Sequence, residues 1–440
     1  MGNWGSRRIA NLVQSDIRAM TRECNRVKGI NLGQGLCELP TPKPIVRAAQ
    51  SALNDDMKCV YSPAEGILPL RQAIAKKLAK ENGIVANPET QIVVTNGATG
   101  GFSAALMALL NPGDGLLVFE PYYGYHVNTA LLSEIEPQYI PMIIKTSTDD
   151  STTATTLIIN EQAIRDTIKP NTKAILICTP NNPSGKMWTQ SEIDIVAKIA
   201  NEFDLLVITD EMYEYFRFEN RKHISPMTHP KLKDRTVTLM GLSKTFSITG
   251  WRLGYVVAAE NLALKIKLAN DLFYVCAPTP LQHGVLAGFT MNKKYFSDLQ
   301  KDFTRKRDMI CSALDIAGMT PIIPEGAYYV LADITHFKMN DSKAFAMLLL
   351  EKAKIATIPG RAFFNSAKGD NYIRLCFGVN DRSLKEACQR IVKFGEDFDN
   401  QKALKNIKPD KFKSVHHVQT SKTSRNQKIT RNQTKDQPKI

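Results

Sequence analysis

Short apolar runs alternate with helix-like patterns along most of the chain. From about residue 45 onward, runs rich in Val, Ile and Leu are bounded by turn residues: QIVVTNG, GLLVFEP, PQYIPMII, KAILICTP, LLVITDE, TVTLMGLSK and LGYVVA. Helical patterns over residues 68–82, 99–111 and 190–203 separate several of these runs. Near-continuous apolar runs are typical of strands buried on both faces of a parallel sheet. The pattern therefore predicts an α/β domain with a mostly parallel sheet.

A smaller set of elements follows. A helix with Pro280 near its start and a charged segment over residues 292–309 lead to the strand-like runs TPIIPEG, AYYVLADI and NYIRLCFG. Helical patterns lie near residues 342–353 and 382–397. This mixture of strands and helices predicts a second, α+β unit.

These patterns divide the chain into segments. We expect a large domain over residues 46–290 and a small domain over residues 291–400. The first 45 residues, with apolar positions at helical spacing that predict a helix over residues 7–25 and then the strand-like GINLGQG, are expected to join the small domain.

The positive charge of the chain is concentrated in residues 401–440. The 440 residues carry a formal net charge of +14, and this last segment holds 11 of the 57 Lys and Arg residues against two Asp. The segment is rich in Lys, Gln, Ser, Thr and Asn and poor in large apolar residues, which predicts disorder. A solvated tail is favoured over one that contacts nucleic acid or an anionic surface.

Cysteine spacing and hydropathy indicate the cell compartment in which the protein is expected. The eight cysteines include no Cys-x-x-Cys pair and the seven histidines form no cluster with ligand spacing, which favours a reducing compartment and no structural zinc. No apolar run reaches the ~18 residues of a membrane span, and the first residues lack a signal-peptide core. We therefore expect a cytoplasmic protein. The start MGNWGS fits a loose myristoylation pattern, which leaves N-terminal acylation open.

Polar residues follow the predicted strands. Open α/β sheets bind ligands at the carboxyl ends of their strands, so these residues are expected to share one edge of the sheet. The segments are Thr95-Asn96-Gly97-Ala98-Thr99, Pro121-Tyr122-Tyr123, Asn181-Asn182-Pro183, Asp210-Glu211-Met212-Tyr213 and Ser243-Lys244.

Two cations and one carboxylate in this region indicate a ligand that carries an aldehyde, a phosphate and a protonatable nitrogen. Burial at the end of a strand would lower the pKa of the Lys244 amine, which suits Schiff-base chemistry. Arg252, in a glycine-containing turn, and the backbone amides of residues 97–99 suit a phosphate. Asp210 ends an apolar run and needs a cationic partner. A phosphorylated aromatic aldehyde with a protonatable ring nitrogen would use all of these groups.

Seven motifs, in this order, resemble the class I/II aminotransferases that use pyridoxal phosphate: YSPAEGILPLR, NPGDGLLVFEPYYGY, TPNNPSG, TDEMYEYF, GLSKTFSITGWRLGY, PEGAYYVL and YIRLCFG. The resemblance covers roughly residues 25–395. It implies fold type I of the aspartate aminotransferase superfamily, with a seven-stranded sheet flanked by helices in the large domain. It also implies a ping-pong transfer of an amino group from an L-amino acid to a 2-oxo acid, with pyridoxal 5'-phosphate as cofactor.

The resemblance implies roles for particular residues. Lys244 matches the lysine that bonds covalently to the cofactor and moves a proton, and Asp210 matches the carboxylate that keeps the ring nitrogen protonated. Asn182 and Tyr213 match the pair that hydrogen-bonds the ring hydroxyl. From these matches, Lys244, Asp210 and Tyr213 are the expected catalytic residues. Tyr123 matches an aromatic ring stacked on the cofactor. The phosphate is expected to contact Gly97, Ala98, Thr99, Ser243 and Arg252.

Substrate contacts and the subunit arrangement follow from the same resemblance. Arg374 matches the arginine that pairs with the substrate α-carboxylate, and a guanidinium fork fits a carboxylate. Gly35 resembles the glycine whose backbone lies against the substrate, and Asn182 is a further expected substrate contact. Tyr61 resembles the tyrosine that reaches the phosphate of a neighbouring subunit, which implies a homodimer with shared active sites.

Several positions depart from the family pattern. Gly241 stands where many relatives have a Ser or Thr that binds phosphate. Leu36-Cys37-Glu38 follows GQG where many relatives have a proline and an acidic residue. Thr99 stands where prokaryotic-type aspartate enzymes have a lysine that binds a distal carboxylate. The sequence therefore favours neutral or aromatic substrates over dicarboxylates.

Two other functions stay open. The same cofactor serves lyases and synthases, such as a carbon–sulfur lyase or an aminocyclopropane-carboxylate synthase, although PEGAYYVL resembles the aminotransferase form. A regulator that binds pyridoxal phosphate is less favoured, because such regulators carry an N-terminal DNA-binding domain and about 25 residues precede the match here.

Overall fold

The computed structural model describes residues 4–10, 12, 15–149 and 152–400. The chain groups into one unit over Met1–Glu396 and a second over Asp397–Ile440, of which residues 397–400 are described. The tail that the sequence predicts to be disordered, residues 401–440, lies outside the described residues.

The described strands and helices follow the alternation of the sequence. In chain order the strands are β1 (Ile30–Asn31), β2 (Ile92–Asn96), β3 (Gly115–Glu120), β4 (Glu136–Pro141), β5 (Ile143–Asp149), β6 (Thr152–Ile158), β7 (Thr172–Cys178), β8 (Leu206–Asp210), β9 (Thr236–Gly241), β10 (Leu253–Ala258), β11 (Thr320–Ile322), β12 (Tyr329–Asp333), β13 (Ile355–Ala356), β14 (Ile358–Pro359) and β15 (Tyr372–Cys376). The α-helices are α1 (Asp16–Arg26), α2 (Lys43–Leu53), α3 (Leu68–Lys77), α4 (Gly97–Leu109), α5 (Gly124–Leu132), α6 (Glu161–Thr167), α7 (Gln190–Glu202), α8 (Glu260–Tyr274), α9 (Thr279–Leu286), α10 (Lys293–Ile316), α11 (Ser342–Ala353) and α12 (Asp381–Asn400).

Seven of the described strands form the central sheet, in the order β2-β10-β9-β8-β7-β3-β4. Strand β10 runs antiparallel to both of its neighbours, and the other pairs are parallel. The seven apolar runs supply these strands, so the predicted α/β class with a mostly parallel sheet is confirmed. Neighbouring residues of β10, Tyr255 and Val256, belong to different apolar clusters because successive side chains point to opposite faces.

The second sheet has four described strands, in the order β11-β12-β15-β14, and its pairs are antiparallel. Arg374 on β15 lies opposite Leu331 of β12 and Ile358 of β14, which places it on an interior strand of this sheet. Strand β1 pairs in parallel with β13. The division into domains over residues 46–290 and 291–400 stays a prediction.

Some predicted elements differ from the structure. The helix predicted over residues 7–25 is wrong in its first half: Arg7–Ile9 form a short 3-10 turn and α1 begins at Asp16. The Ser15 side chain accepts a hydrogen bond from the Ile17 amide at 3.3 Å and so caps the helix there. The run PQYIPMII contains the end of β4 and the first residues of β5, which forms a hairpin with β6. The parallel pairing of β4 with β3 ends at Pro141, which has no amide hydrogen to continue it.

The region around Pro280 forms two helices, α9 and α10, and α8 before them was missed in the sequence. On α8 the apolar side chains of Leu264, Leu268 and Leu272 are exposed, whereas those of Ala263 and Ile266 are buried, so the apolar positions occupy two faces of the helix and not one stripe. None of the described helices is long and apolar enough to cross a membrane.

Candidate active site

A cavity of about 420 Å³ lies where the strands of the central sheet end, within the ~300–1,000 Å³ range of ligand pockets. Its walls include the residues that follow β2, β3, β7, β8 and β9, together with residues of β12 and β15. All but one of the predicted site residues line it: Gly35, Gly97, Ala98, Thr99, Tyr123, Asn182, Asp210, Tyr213, Ser243, Lys244, Arg252 and Arg374. Tyr61 does not line this cavity, and 82% of its surface is exposed.

Lys244 follows the end of β9, and its Nζ donates a hydrogen bond to the backbone oxygen of Gly35 at 3.0 Å. Burial lowers the pKa of the Lys244 amine, and the positive charges of Arg252 and Arg374 lower it further against an opposing effect of two nearby thiols. A lowered pKa increases the fraction of neutral amine near pH 7, and the neutral amine is the form that attacks a carbonyl carbon.

Asp210 ends β8 and is buried, with both carboxylate oxygens in hydrogen bonds. His126 Nε2 donates to Oδ2 at 2.9 Å, and the Met212 amide donates to Oδ1 at 3.2 Å. His126 was not singled out in the sequence, although it lies one helical turn after Tyr123, and the two rings meet edge to face with centroids 5.2 Å apart. The histidine thus fixes the orientation of the Asp210 carboxylate at the cavity wall.

Tyr213 and Tyr329 share a hydrogen bond of 2.8 Å between their hydroxyls. Burial raises the pKa of Tyr213 well above its usual value, and the neighbouring Tyr329 and Tyr123 phenols add to this effect. A Cβ on Gly35 would lie 2.1 Å from the Tyr329 hydroxyl, so this close approach requires glycine at position 35. Tyr329 was missed as a site residue, although it stands in the quoted motif PEGAYYVL.

Arg374 is a buried guanidinium without a carboxylate partner among the described residues. Its exposed fraction is 1%, Nη1 donates to Asn182 Oδ1 at 3.0 Å, and Nη2 donates to the backbone oxygen of Gly33. Its guanidinium carbon lies 4.6 Å from the ring centre of Tyr329 and 4.9 Å from that of Phe363. Its Nε has no hydrogen-bond partner in the described structure. A buried charge in this state favours an anionic ligand over a structural ion pair.

The start of α4 and Arg252 form a cradle for an anion. Gly97, the first residue of α4, has a φ of 69°, and a Cβ there would lie 2.7 Å from Arg252 Nη2. Arg252 itself has a left-handed conformation with φ 56°, and its Nη1 donates to the Thr249 backbone oxygen at 2.9 Å. Within the described residues Arg252 has no acidic partner in ion-pair distance. The free amides at a helix start and a guanidinium together suit a phosphate.

The departures noted in the sequence have structural counterparts. A Cβ on Gly241 would lie 2.0 Å from Met212 Sδ, so a serine or threonine there has no room unless Met212 moves. Leu36 lines the cavity, whereas Cys37 Sγ accepts a hydrogen bond from Ser247 Oγ at 3.5 Å. Glu38 accepts a hydrogen bond from the Asn380 amide at 2.9 Å. Of these three consecutive residues, Leu36 is therefore the one at the cavity.

Known proteins resemble the chain over most of its length. The model of the family "Aminotransferase class I and II" matches residues 27–391. The aromatic-amino-acid aminotransferase 2 of Thermococcus litoralis is 30% identical over 391 residues, which are 88% of this chain and 97% of that protein. The aspartate aminotransferase of Pyrococcus abyssi is 31% identical over 366 residues, which are 83% and 91% of the two chains.

Solved structures show the same fold. The N-succinyldiaminopimelate aminotransferase of Mycobacterium tuberculosis superposes with a TM-score of 0.82 at 28% identity and covers 89% of this chain and 100% of its own. The aromatic aminotransferase of Pyrococcus horikoshii OT3 gives a TM-score of 0.78 at 30% identity over 86% of this chain and 99% of its own. The architecture is accordingly fold type I, as the motifs imply. The chain belongs to the class I and II aminotransferase family and is an enzyme of the transaminase type.

Proposed function

We propose that this enzyme uses pyridoxal 5'-phosphate to move an amino group from an L-amino acid to a 2-oxo acid in a ping-pong exchange. The observation that carries the proposal is the joint presence, in one cavity, of an amine with a lowered pKa, a buried carboxylate and a cradle for an anion. Pyridoxal phosphate needs these three groups for its aldehyde, its ring nitrogen and its phosphate. When bound, it supplies an aldehyde for the substrate nitrogen and a ring that withdraws electrons from the substrate Cα.

The hydrogen bonds at the cavity wall indicate which side chains would hold the cofactor ring and its phosphate. Asp210, oriented by His126, would pair its negative charge with the ring N–H. Asn182 Oδ1 accepts a hydrogen bond from Arg374, so the Asn182 Nδ2 group would be the one that donates to the ring oxygen, together with the Tyr213 hydroxyl. The phosphate would be held by Arg252, Ser243 and the amides of residues 97–99, and the ring would be bounded by Tyr123, since all of these residues line the cavity.

The side chains that act on the substrate are Lys244 and Arg374. The Arg374 guanidinium binds the α-carboxylate with its planar fork, which orients the substrate Cα. Lys244 Nζ, whose pKa is lowered by burial, would take the proton from the substrate Cα and deliver it to the carbon of the cofactor's aldehyde group, on the other side of the substrate nitrogen. The backbone oxygen of Gly35 accepts a hydrogen bond from Nζ at 3.0 Å and so limits the positions open to the amine.

We also propose a homodimer in which Tyr61 contacts the phosphate held by the partner subunit. Tyr61 is exposed and lies in the loop over residues 59–67. Asn270 of α8 donates a hydrogen bond to the backbone oxygen of Ala64 in this loop at 3.1 Å, so the loop packs beside α8. Exposed apolar patches mark association surfaces. Exposed apolar side chains near Tyr61 and on α8 include Met57, Val60, Leu264, Leu268, Leu272 and Phe273.

The homodimer is tested by light scattering and cofactor titration. Tyr61→Phe should keep the mass of a dimer and weaken cofactor binding, whereas Leu268→Lys should shift the mass towards the monomer. A monomeric wild-type enzyme with full cofactor affinity would contradict this part of the proposal.

Neutral or aromatic amino acids are the proposed donors. Phe102, Tyr123, Tyr125 and Leu36 line the cavity and offer apolar and aromatic surface to a substrate side chain. A screen of L-amino acid donors against 2-oxo acid acceptors tests this preference. A clear advantage for aspartate or glutamate over phenylalanine, tyrosine and methionine as donors would contradict it.

The cofactor assignment is tested by trapping. The purified enzyme is incubated with pyridoxal phosphate, reduced with borohydride and digested, and the modified peptide is identified by mass spectrometry. The label is expected on Lys244, and Lys244→Ala should lose both the label and turnover. A Lys244→Ala variant that keeps both would overturn the assignment. Release of a 2-oxo acid over many turnovers without any acceptor would instead favour a lyase, because a transaminase releases at most one per site before it needs an acceptor.

A further inference from the structure

A second cavity, of about 290 Å³, borders the segment that carries Lys244. Leu242 and Phe246 line it, and they belong to the apolar cluster on one face of the central sheet. Phe102 and Leu239 line the active cavity and belong to the cluster on the opposite face. No described residue lines both cavities. The second cavity is therefore a separate site, close to the lower limit of the ~300–1,000 Å³ range of ligand pockets.

The interior of the second cavity is apolar and aromatic. Its walls include Leu242, Phe246, Leu286, Phe289 and Phe296. The Tyr215 ring stacks on that of Phe296 with centroids 4.5 Å apart, and its hydroxyl donates to Glu81 Oε2 at 2.5 Å. The buried Glu214 carboxylate is paired with Lys77. Because these polar groups already have partners, the interior favours an aryl or alkyl body over a polar one.

Three lysines at this cavity have no acidic partner. Lys76 on α3, Lys80 in the turn after α3 and Lys293 at the start of α10 line the cavity, and all three residues are exposed. Within the part of the chain that the structure describes, none of the three amines forms an ion pair or a hydrogen bond. The neighbouring Lys77 is by contrast buried and paired with Glu214. Three available cations beside an apolar interior favour a ligand that carries an anionic group.

The wall of the second cavity continues into the active site. Leu242 and Thr245 line the second cavity, whereas Ser243 and Lys244 between them line the active cavity. The Tyr295 hydroxyl donates to the Thr245 backbone oxygen at 2.6 Å, so the start of α10 is bonded to the same segment. Space behind this segment allows it to move, and a ligand that fills the space restrains it.

We propose that the second cavity binds a small aromatic carboxylate and that binding there slows turnover at Lys244. The aryl body packs among the phenylalanine and tyrosine rings, and the carboxylate pairs with the exposed lysines. The amine of Lys244 has to move between two carbon atoms in each half-reaction, and a restrained segment limits that movement. The effect on turnover rests on the proposed function, whereas the binding does not.

Binding is tested with 3-phenylpropionate, which neither donates nor accepts an amino group. It is titrated by calorimetry beside its uncharged amide, 3-phenylpropanamide. Because Arg374 offers a carboxylate site in the active cavity, the titrations use both the wild-type holoenzyme and Arg374→Lys, in which that site is weakened. The acid should still bind to Arg374→Lys, and more tightly than the amide.

Two measurements locate the bound acid. Lys76→Gln combined with Lys80→Gln, both added to Arg374→Lys, should weaken binding of the acid by about tenfold and leave the amide nearly unchanged. Lys301→Gln is the matched control, because Lys301 is an exposed lysine of α10 that does not line the cavity, and it should change neither ligand. In the wild-type holoenzyme the acid should slow amide hydrogen exchange over residues 286–296, a stretch that lines the second cavity and not the active cavity.

Turnover gives the functional readout. In the wild-type enzyme the acid should lower kcat in a way that saturation with both donor and acceptor does not relieve, and the Lys76→Gln and Lys80→Gln pair should need about tenfold more acid for the same effect. Equal binding of acid and amide to Arg374→Lys, or unchanged exchange over residues 286–296, would overturn the second site. Inhibition that saturating substrates relieve completely would overturn the effect on turnover. If no donor and acceptor pair is turned over, the proposed function fails, and the titrations still decide whether the cavity binds the acid.

Discussion

The substitution Arg374→Lys tests how the enzyme binds the α-carboxylate of its substrates. Lysine keeps the positive charge but lacks the planar fork, so at most one of two parallel hydrogen bonds to the carboxylate survives. A hydrogen bond to a charged group contributes about 1.5–3 kcal/mol, and 1.4 kcal/mol corresponds to a factor of ten. We therefore expect KM for the amino donor to rise about 10- to 100-fold.

The same substitution also affects folding. Arg374 is 1% exposed and donates to Asn182 Oδ1 and to the Gly33 backbone oxygen. A lysine that reaches only one of these acceptors leaves the other unsatisfied, at a cost of about 1–3 kcal/mol. The free energy of unfolding, measured with urea, should fall by that amount.

The assay separates the two effects with a matched control. Arg71 is another buried arginine, which donates to the Gly66 and Pro88 backbone oxygens and does not line the cavity. Arg71→Lys should lower the free energy of unfolding without changing KM for any donor. An unchanged KM for every donor in Arg374→Lys would refute the assignment of Arg374 to the α-carboxylate.

Three further predictions concern groups around the cavity. Because burial lowers the pKa of Lys244 in the folded state, the unfolded chain binds more protons between that pKa and 10.5. The free energy of unfolding of the cofactor-free enzyme should therefore rise with pH across this window relative to Lys244→Met, and equal pH slopes in urea titrations would contradict this. His126→Phe removes the donor to Asp210 Oδ2, so it should destabilise the protein by about 1–3 kcal/mol and weaken cofactor binding. An unchanged cofactor affinity would argue against an orienting role of His126. Gly241→Ser should destabilise by about 1–3 kcal/mol through overlap with Met212, and combining it with Met212→Ala should restore part of the loss in urea unfolding; an additive loss would exclude that contact.

The central sheet could be predicted because buried strands leave a strong local signal. Strands β3, β9 and β10 are buried at every position, and such continuous apolar runs are visible without knowing what covers them. The signal fails where burial is partial. Helix α8, for example, exposes Leu268 and Leu272. Helix α1 starts where the Ser15 side chain caps it, and the apolar repeat that begins at residue 7 does not reveal this start.

The lining of the candidate site was predictable where a sequence motif itself indicates the chemistry of a residue, as with Lys244 and Arg374, which both line the cavity. It was not predictable where a role depends on a contact between distant residues. His126 precedes its partner Asp210 by 84 positions, and Tyr329 follows its partner Tyr213 by 116. Their types alone suggest ordinary core residues, because a buried histidine or tyrosine most often satisfies a structural hydrogen bond.

Transfer of an isotopically labelled amino nitrogen tests the central claim most directly. The holoenzyme is incubated with a labelled L-amino acid and an unlabelled 2-oxo acid, and the new amino acid and free ammonia are quantified by mass spectrometry. The wild-type enzyme should place the label in the new amino acid only when the acceptor is present, and Lys244→Ala should place none. Label released as ammonia without an acceptor, or transfer that persists in Lys244→Ala, would contradict transamination through Lys244.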